Sequence, residues 1–267
     1  ERVQDGLQTR ARALQLVHAA LHLRARLFDL LPFNIRHYGK ADCFANKVNG
    51  QWVKYSSQET LDQVNCVSLG LMKMGIGKGD KVAIISANRP EWNFVEFGIQ
   101  QLGAVSVPMY PTITEEDYRY IFTDAEVKIV FVADEGLFNR VRSATKALSF
   151  VPDLFTFDRV AGARHWSEVS QLGEGEDPGQ LDATRAEVSP EDLLTLIYTS
   201  GTTGTPKGVM LTHRNLMSNV EASLANMPVG SGDRALSFLP LCHIYERMVI
   251  YVYLRSGVSV YYAESMD

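Results

Sequence analysis

The stretch DKVAIISANRPEWNFVEFGIQQLGAVSVPMY, residues 80–110, decides the fold of this chain. Residues 80–88 predict a buried strand because β-branched and other apolar residues occupy both of its faces. Residues 89–103 predict a helix, with Pro90 near its start and Gly103 at its end. Residues 104–110 predict a second strand. Since both strands are apolar almost throughout, the stretch indicates a parallel sheet covered by helices on both faces.

The same alternation continues on both sides of this stretch. Residues 56–75 predict a helix, because Ser56 and Glu59 have the spacing of a capping box and Gly75 marks the end. Residues 114–125 predict a helix, and residues 127–134 and 153–158 predict strands. We therefore expect an α/β fold with a mostly parallel sheet, and we assign residues 27–159 to a first α/β subdomain.

The character of the sequence changes over residues 160–192, which hold eight acidic residues and two arginines. We interpret this segment as a solvated connection over the surface. A second series follows over residues 193–267 and predicts the start of a second α/β subdomain. Its predicted strands are 193–200, 208–213, 234–240 and 258–264, and its predicted helices are 214–227 and 243–257.

Composition and charge exclude several classes of protein. The net charge of −5 argues against a nucleic-acid partner, since such proteins usually carry a basic excess. Cys43, Cys66 and Cys242 are far apart and include no C-x-x-C pair, so they suggest neither a disulfide framework nor a zinc site. Unpaired cysteines are typical of a reducing compartment, and we expect a cytoplasmic location.

The basic, leucine-rich residues 1–26 predict an N-terminal helix of unassigned role. Packing on the body of the protein is one interpretation of it, and peripheral contact with membrane lipid is another. A signal peptide is a weaker alternative, because no small-residue cleavage site follows the apolar stretch. No apolar run in the chain approaches the ~18 to 20 residues that a membrane-spanning helix needs.

The segment YTSGTTGTPKG, residues 198–208, is the strongest functional signal. Its hydroxyl donors, its glycine backbone and Lys207 together suit a phosphate group. The Walker A pattern fails, because Gly208 follows Lys207 where Ser or Thr is required, and the dinucleotide fingerprint is absent. A long hairpin loop is the alternative; we expect the segment to be too long and too polar for a simple turn.

These residues resemble the AMP-binding signature of the adenylate-forming superfamily, which includes acyl-CoA synthetases, adenylation domains and luciferases. Residues 89–122 and SFLPLCHIYERM, residues 237–248, are similar to the long-chain fatty acid–CoA ligases in particular. The resemblance covers about residues 27–267. It implies two mostly parallel sheets with flanking helices, the N-terminal portion of the large domain of such a ligase, with the second sheet truncated.

The resemblance implies that a fatty-acid carboxylate attacks the α-phosphate of ATP to give acyl-AMP and pyrophosphate, after which the CoA thiol displaces AMP. Lys207 would neutralise the β- and γ-phosphates, and Thr199 would contact Mg²⁺, which prefers oxygen ligands. The residues implied to hold these phosphates are Thr199, Ser200, Gly201, Thr202, Thr203 and Gly204. Long-chain fatty acid, ATP, Mg²⁺ and CoA are thus the implied ligands, and the CoA site is expected outside this segment.

A second constellation, PLCHIYE, spans residues 240–246. His243 and Glu246 have the spacing of residues on one helix face. The resemblance implies that His243 orients the substrate beside the α-phosphate, and that Tyr245 and Glu246 contact the substrate. A helix-start histidine with a capping glutamate is the simpler alternative. Cys242 is interpreted as a small core residue.

Ligases of this kind continue with an aromatic-Gly-x-Thr-Glu segment and a C-terminal domain that bears a further lysine. Neither occurs before Asp267. We therefore expect that the chain alone does not complete the reaction. Two alternatives stay open: a fatty acyl-AMP ligase or another adenylate-forming enzyme, and a non-catalytic fragment that binds nucleotide or lipid.

Overall fold

The computed structural model describes residues 25–200 and 205–264, and it has the α/β architecture that the sequence predicts. All but Ala25 and Arg26 of the predicted N-terminal helix lies outside the described residues. A short 3₁₀ helix, Leu27–Asp29, comes first among the described elements. Nine α-helices and eleven strands follow in the part of the chain that the structure describes.

The helices alternate with strands through most of the chain. The helices are α1 (Leu30–His37), α2 (Ser57–Lys73), α3 (Pro90–Gln101), α4 (Glu115–Ala125), α5 (Glu135–Thr145), α6 (Ser167–Gly173), α7 (Gln180–Glu187), α8 (His213–Leu224) and α9 (Ile244–Ser256). The strands are β1 (Phe44–Val48), β2 (Gln51–Tyr55), β3 (Lys81–Ile85), β4 (Val105–Pro108), β5 (Val127–Val132), β6 (Asp153–Thr156), β7 (Arg164–His165), β8 (Leu193–Ser200), β9 (Pro206–Thr212), β10 (Arg234–Ser237) and β11 (Ser259–Tyr262).

Local signals set the ends of the helices. The predicted capping box at α2 is confirmed: the Ser56 side chain accepts from the backbone N–H of Glu59, and the Glu59 carboxylate accepts from the backbone N–H of Ser56. Pro90 occupies the first turn of α3, where its missing N–H leaves no hydrogen bond unmade. Gly257 ends α9 with a left-handed φ of 73°. These ends fix where the strands that follow begin.

A seven-stranded sheet has the order β7-β6-β5-β3-β4-β8-β9. Its strands are parallel except for β9, which pairs with β8 antiparallel. A four-stranded sheet has the order β10-β11-β1-β2, in which only β2 runs antiparallel to its neighbour. The prediction of two mostly parallel sheets with flanking helices is confirmed.

Both sheets combine strands from distant parts of the sequence. Strand β1 pairs with β11, so that Phe44 lies opposite Val260, and β8 pairs with β4, so that Thr195 lies opposite Ser106. Residues 27–159 and 193–267 therefore each contribute strands to both sheets. The division of the chain into these two subdomains stays a prediction from the sequence.

The helices cover the seven-stranded sheet on both faces. Ala83 and Ile85 of β3 point into one core with α4 and α5, whereas Val82 and Ile84 point into a larger core. That larger core also takes in the apolar residues of α2, α3 and α9 and of the four-stranded sheet. Trp92 and Phe94 of α3 lie in it, 0% and 1% exposed. Helices α3 and α9 contact strands of both sheets and thus lie between them.

The acidic connection is more ordered than the sequence suggests. It contains β7, α6 and α7, and Val169 and Leu181 are fully buried. Helices α2 and α6 touch along their backbones: a Cβ on Gly70 would lie 1.8 Å from the carbonyl oxygen of Val169. Most of the charged side chains of the acidic connection are exposed. One of them, Glu176, forms a surface ion pair with Lys73. The segment therefore packs on the protein as a charged outer surface.

Among the described residues, no helix combines the length and the apolar character that crossing a bilayer requires.

Candidate functional site

The predicted phosphate segment begins in a regular β-hairpin. Strands β8 and β9 pair so that Thr199 lies opposite Lys207 and Ser200 opposite Pro206. Residues 201–205 join the strands, and a five-residue connection is ordinary for a hairpin. The expectation that the segment is too long for a hairpin is therefore wrong. Of the predicted phosphate-binding positions, Gly201, Thr202, Thr203 and Gly204 lie outside the described residues.

Thr199 and Lys207 project from the same face of the hairpin, since residues directly opposite each other in an antiparallel pair share a face. Both side chains are exposed. A hydroxyl donor and a cation thus stand side by side at the open end of the hairpin. An ammonium group with a neighbouring hydroxyl suits phosphate oxygens, and the hydroxyl oxygen of Thr199 is of the hard type that Mg²⁺ prefers.

Tyr198 anchors the hairpin to the body of the protein. Its hydroxyl donates to the Asp124 carboxylate of α4, and its ring meets Tyr120 edge-on at 6.5 Å. Burial and the neighbouring Asp124 carboxylate raise the pKa of Tyr198, so the phenol stays protonated and remains a donor. A Cβ on Gly208, the cross-strand partner of Tyr198, would lie 3.2 Å from Tyr198 Cζ. The Tyr198 ring therefore packs closely against the backbone of Gly208, so the first and last residues of the motif are in contact across the hairpin.

His243 lies at the N-terminus of α9, outside the helix itself. It is the N-cap residue, and its Nδ1 accepts from the backbone N–H of Tyr245 at 3.2 Å. The side chains of His243 and Tyr245 are exposed, the latter by 56%. Because Nδ1 is the acceptor in this bond, the proton of the neutral ring is on Nε2. The exposed edge of the ring therefore presents a donor.

Glu246 faces the protein interior. It is 5% exposed, and its Oε1 accepts from the Ser237 hydroxyl at 2.6 Å. Burial raises its pKa. The prediction that His243 and Glu246 share a helix face is wrong, because His243 precedes the first helical turn. The Glu246 carboxylate bonds to β10 and does not cap α9, so only the histidine half of the simpler alternative is realised.

A cavity of about 130 Å³ brings the two constellations together. Its wall includes Thr199 and Pro206 of the hairpin and Cys242, the residue before His243. Cys242 is 2% exposed, and burial raises its pKa to about 12. A thiol in this state is not a nucleophile at neutral pH, which favours its interpretation as a small core residue.

A larger cavity of about 370 Å³ lies where the carboxyl ends of β3 and β4 face those of β10 and β11. Tyr110 lines both cavities, although the sequence analysis did not identify it as a functional residue. In open α/β sheets, ligands bind in crevices outside the carboxyl ends of strands. The position of Tyr110, two residues after the end of β4, is the signal that could have identified it.

Asn88, which the sequence analysis also missed, ties the two sheets together at this cavity. Its Nδ2 donates to the Ser237 hydroxyl at 3.0 Å and to the Leu239 carbonyl at 2.7 Å. Its Oδ1 accepts from the backbone N–H of Leu241 at 2.9 Å. One amide therefore fixes the segment that leads from β10 to His243.

Within residues 25–200 and 205–264, no group of three or more His, Cys, Asp or Glu side chains could hold a metal ion. Thr199 alone is described among the predicted phosphate-loop hydroxyls with its side chain. One hydroxyl together with one carboxylate from elsewhere is a sensible protein share for a Mg²⁺ ion that arrives with a nucleotide, because the phosphates and waters supply the other ligands.

Comparison with known proteins shows the family to which the residues that form this site belong. The family model described as "AMP-binding enzyme" matches residues 34–267. A long-chain-fatty-acid–CoA ligase of Mycobacterium tuberculosis, FadD15, is 35% identical over 217 residues, which are 80% of this chain and 36% of that protein. Human long-chain-fatty-acid–CoA ligase 1 is 33% identical over 226 residues, 79% of this chain and 32% of its own length. The chain thus spans about a third of these relatives.

Solved structures share the fold. The N-terminal domain of FACL13 from M. tuberculosis superposes with a TM-score of 0.75 at 23% identity, covering 91% of this chain and 58% of that one. A luciferase-like enzyme from the mealworm Zophobas morio superposes with a TM-score of 0.79 at 19% identity, covering 91% and 55%. At this level of identity the likeness describes the fold alone.

Proposed function

Because the chain belongs to the family of AMP-binding enzymes, we propose that it forms the N-terminal part of an ATP-dependent long-chain fatty acid–CoA ligase. The mycobacterial and human relatives support this substrate class. In the proposed reaction, a fatty-acid carboxylate attacks the α-phosphate of ATP and releases pyrophosphate. The CoA thiol then takes the acyl group, and AMP leaves.

The observation that carries the proposal is the pairing of Thr199 with Lys207 beside a cavity whose wall also includes Cys242, the residue before His243. The Lys207 ammonium group neutralises charge on the β- and γ-phosphates as pyrophosphate departs. Such a charge is effective because the hairpin holds its backbone in place before the phosphates arrive. Thr199 and Ser200 and, beyond them, Gly201, Thr202, Thr203 and Gly204 are assigned to the same phosphates.

His243 is assigned to the carboxylate and the α-phosphate. Its Nε2–H donates a hydrogen bond to one of their oxygens, while the bond from Tyr245 N–H to Nδ1 holds the ring plane. Tyr245, which is exposed beside it, is assigned to the substrate as well, and Glu246 is assigned to it through its bond to Ser237. The role of these residues is to orient two anions for in-line attack, which is a positioning effect.

Mg²⁺ would contact the Thr199 hydroxyl and a carboxylate from another part of the enzyme. When bound, it neutralises phosphate charge and orients the phosphate tail. CoA binding is assigned to the part of the enzyme outside this chain. We also propose that this chain alone does not complete the reaction, because the Thr-Glu segment and the second lysine of such ligases do not occur in it.

The test measures pyrophosphate release by the full-length gene product with ATP, Mg²⁺ and palmitate. We expect release that depends on the fatty acid, and we expect Lys207→Ala to lower kcat/KM by roughly 10²-fold, as the loss of one preorganised charge does elsewhere. Lys54→Ala, which removes another exposed strand lysine, is the matched control. Fatty-acid-independent activity, or equal rates for the two variants, would contradict the proposal.

The acceptor and the competence of this chain need two further measurements. Supplying CoA or acyl carrier protein to the full-length product separates a CoA ligase from a fatty acyl-AMP ligase. A thermal-shift series with ATP and Mg²⁺ on this chain tests nucleotide binding, because a ligand of the folded state raises its stability. No shift at any ATP concentration would favour a non-catalytic role for this segment.

A further inference from the structure

Charged side chains lie entirely inside the protein, one helical turn from His243. Arg247 of α9 forms an ion pair with Glu96 of α3, and both side chains are 0% exposed. Tyr251 Oη donates to Glu96 Oε1 at 2.8 Å. Arg247, Glu96 and Tyr251 are here called the buried cluster. It connects α9, whose N-cap residue is His243, to α3.

The Arg247 guanidinium also reaches the seven-stranded sheet. Its Nη1 donates to Thr195 Oγ1 of β8 at 3.0 Å, and its Nη2 lies 3.3 Å from Ser106 Oγ of β4. Thr195 Oγ1 in turn donates to the carbonyl oxygen of Ser106 at 2.8 Å. One side chain thus contacts three elements besides its own.

Two of the elements joined by Arg247 carry the proposed site. Thr195 precedes Thr199 by four residues of continuous strand, about 13 Å of chain. Arg247 follows His243 by four residues, about 6 Å along the helix axis. Because β8 is continuous and the backbone N–H of Arg247 donates to the carbonyl oxygen of His243 at 3.4 Å, a shift of α9 at Arg247 would move His243 relative to the hairpin.

Stability alone does not explain a charged contact at this place. Removing two charges from water offsets most of their attraction, and apolar residues of similar volume are often equivalent or better. Apolar contacts, however, have no direction, so they permit a helix to rotate or slide. Hydrogen bonds from a planar guanidinium to Thr195 and Glu96 restrict both motions.

We propose that Arg247 is a positioning residue that holds His243 in a fixed place relative to the hairpin of Thr199 and Lys207. The proposal rests on the proposed function for its catalytic consequence, but its structural content concerns only the distance between two described elements. Arg247 itself touches no substrate in this arrangement. It acts through α9 and β8.

The first test does not depend on activity. Nitroxide labels are attached to this chain at His243→Cys and Lys207→Cys, with Cys66, the least buried native thiol, replaced by Ala. Electron paramagnetic resonance then gives the distribution of label distances. We expect a broader distribution when the buried cluster is replaced by Glu96→Leu, Arg247→Met and Tyr251→Phe together. An equal width in both proteins, measured with both folded, overturns the proposal.

The second test measures kinetics in the full-length gene product. We expect the apolar triple variant to lose at least about 10-fold in kcat, because small displacements of an orienting group have effects of this size. We expect KM for ATP to change by less than about threefold. We also expect His243→Ala to lower kcat much less in the triple variant than in the wild type, because the effects of coupled residues are not additive. Wild-type kcat in the triple variant, or additive effects, overturn the proposal.

Controls separate positioning from folding and from the proposed function. Arg255→Met removes a different ion pair of α9, that with Glu221, and we expect kcat within about twofold of the wild type, as for independent sites. If the triple variant does not fold, Thr195→Val is the test instead, because it removes the hydrogen bond from Arg247 to β8 and keeps the side-chain volume. A reduced kcat and a broader distribution of label distances support the proposal, and unchanged values overturn it. A wild-type enzyme without fatty-acid-dependent activity contradicts only the proposed function, because the label distances still decide this one.

Discussion

Lys207 and Arg247 are both cations near the proposed site, but the protein holds them in opposite ways. Lys207 stands exposed on β9, whereas Arg247 is enclosed among α3, β4 and β8 with Glu96 as its counter-ion. An exposed charge contributes little to stability and is available to a ligand. A buried charge contributes specificity, and removal of its partner has a large cost. The comparison predicts that stability and ligand binding depend on different residues.

The largest effect is expected for Arg247→Met alone, which leaves the Glu96 carboxylate buried without its ion pair. We expect a loss of about 3–5 kcal/mol in the free energy of unfolding at pH 8. Burial already raises the pKa of Glu96, and loss of Arg247 raises it further. Since the neutral carboxyl tolerates burial better, the deficit should shrink at pH 5. Urea unfolding at both pH values measures it.

The matched control for this change is Glu96→Leu combined with Arg247→Met, which removes both charges together. We expect this variant to recover at least about 2 kcal/mol relative to the single variant. Equal losses in the single and double variants would show that the charge pair does not determine the stability of this layer.

A second large effect is expected at His213, the buried counterpart of the exposed His243. His213 is 0% exposed, and its Nδ1 accepts from the backbone N–H of Leu27 at 3.2 Å. Burial lowers its pKa from 6.5 to about 4, with Arg26 acting in the same direction and Asp29 and Asp192 opposing. The folded protein therefore binds fewer protons here than the unfolded chain between pH 6.5 and 4.

The sign of the pH dependence follows from this difference. The contribution of His213 to stability is complete above about pH 6.5 and is lost as the pH falls to about 4, with a total of about 3 kcal/mol. We expect His213→Gln, which keeps a side-chain acceptor, to flatten the stability curve over this range. Parallel curves for wild type and variant, from urea unfolding at half-unit intervals of pH, would contradict the assignment.

A smaller effect is expected for Gly208→Ala, which acts on the hairpin itself. The new methyl group would lie 3.2 Å from Tyr198 Cζ, so the ring that anchors the hairpin must shift by a few tenths of an ångström. We expect a loss of about 1–2 kcal/mol in unfolding free energy, typical of overpacking, together with weaker ATP binding. Gly230→Ala, where a methyl group would meet open space, is the control and should differ from the wild type by less than about 0.5 kcal/mol.

Local signals in the sequence predict the elements well. Predicted helix 56–75 is observed as Ser57–Lys73 and predicted strand 193–200 as Leu193–Ser200, because capping and apolar runs act over a few residues. Strands β1 and β2 were missed. Four of the five residues of β2 are exposed, and β1 pairs with β11 from the other end of the chain, with Phe44 opposite Val260. No local sequence pattern predicts the pairing of β1 with β11.

The same distinction applies to the site. The motif around Lys207 can be recognised from spacing, since its residues are neighbours in sequence. Arg247 and Glu96 are 151 residues apart, and each resembles an ordinary polar residue of an amphipathic helix. Asn88 and Tyr110 likewise become candidate site residues only because they line a cavity with residues that follow β10 and β11. Long-range contacts of this kind require the tertiary structure.

The smallest effect on stability is expected for Lys207→Ala, and this prediction completes the comparison with Arg247. Because the ammonium group is exposed, its loss removes no buried contact, and we expect the unfolding free energy to change by less than about 0.5 kcal/mol. The change should nevertheless abolish most of the thermal stabilisation by ATP and Mg²⁺, because the proposed function assigns this charge to the nucleotide's phosphates. Thermal unfolding with and without nucleotide measures both quantities in one experiment, with Lys54→Ala as control. A large loss of stability without nucleotide would place Lys207 in the same structural role as Arg247 and remove the distinction between them.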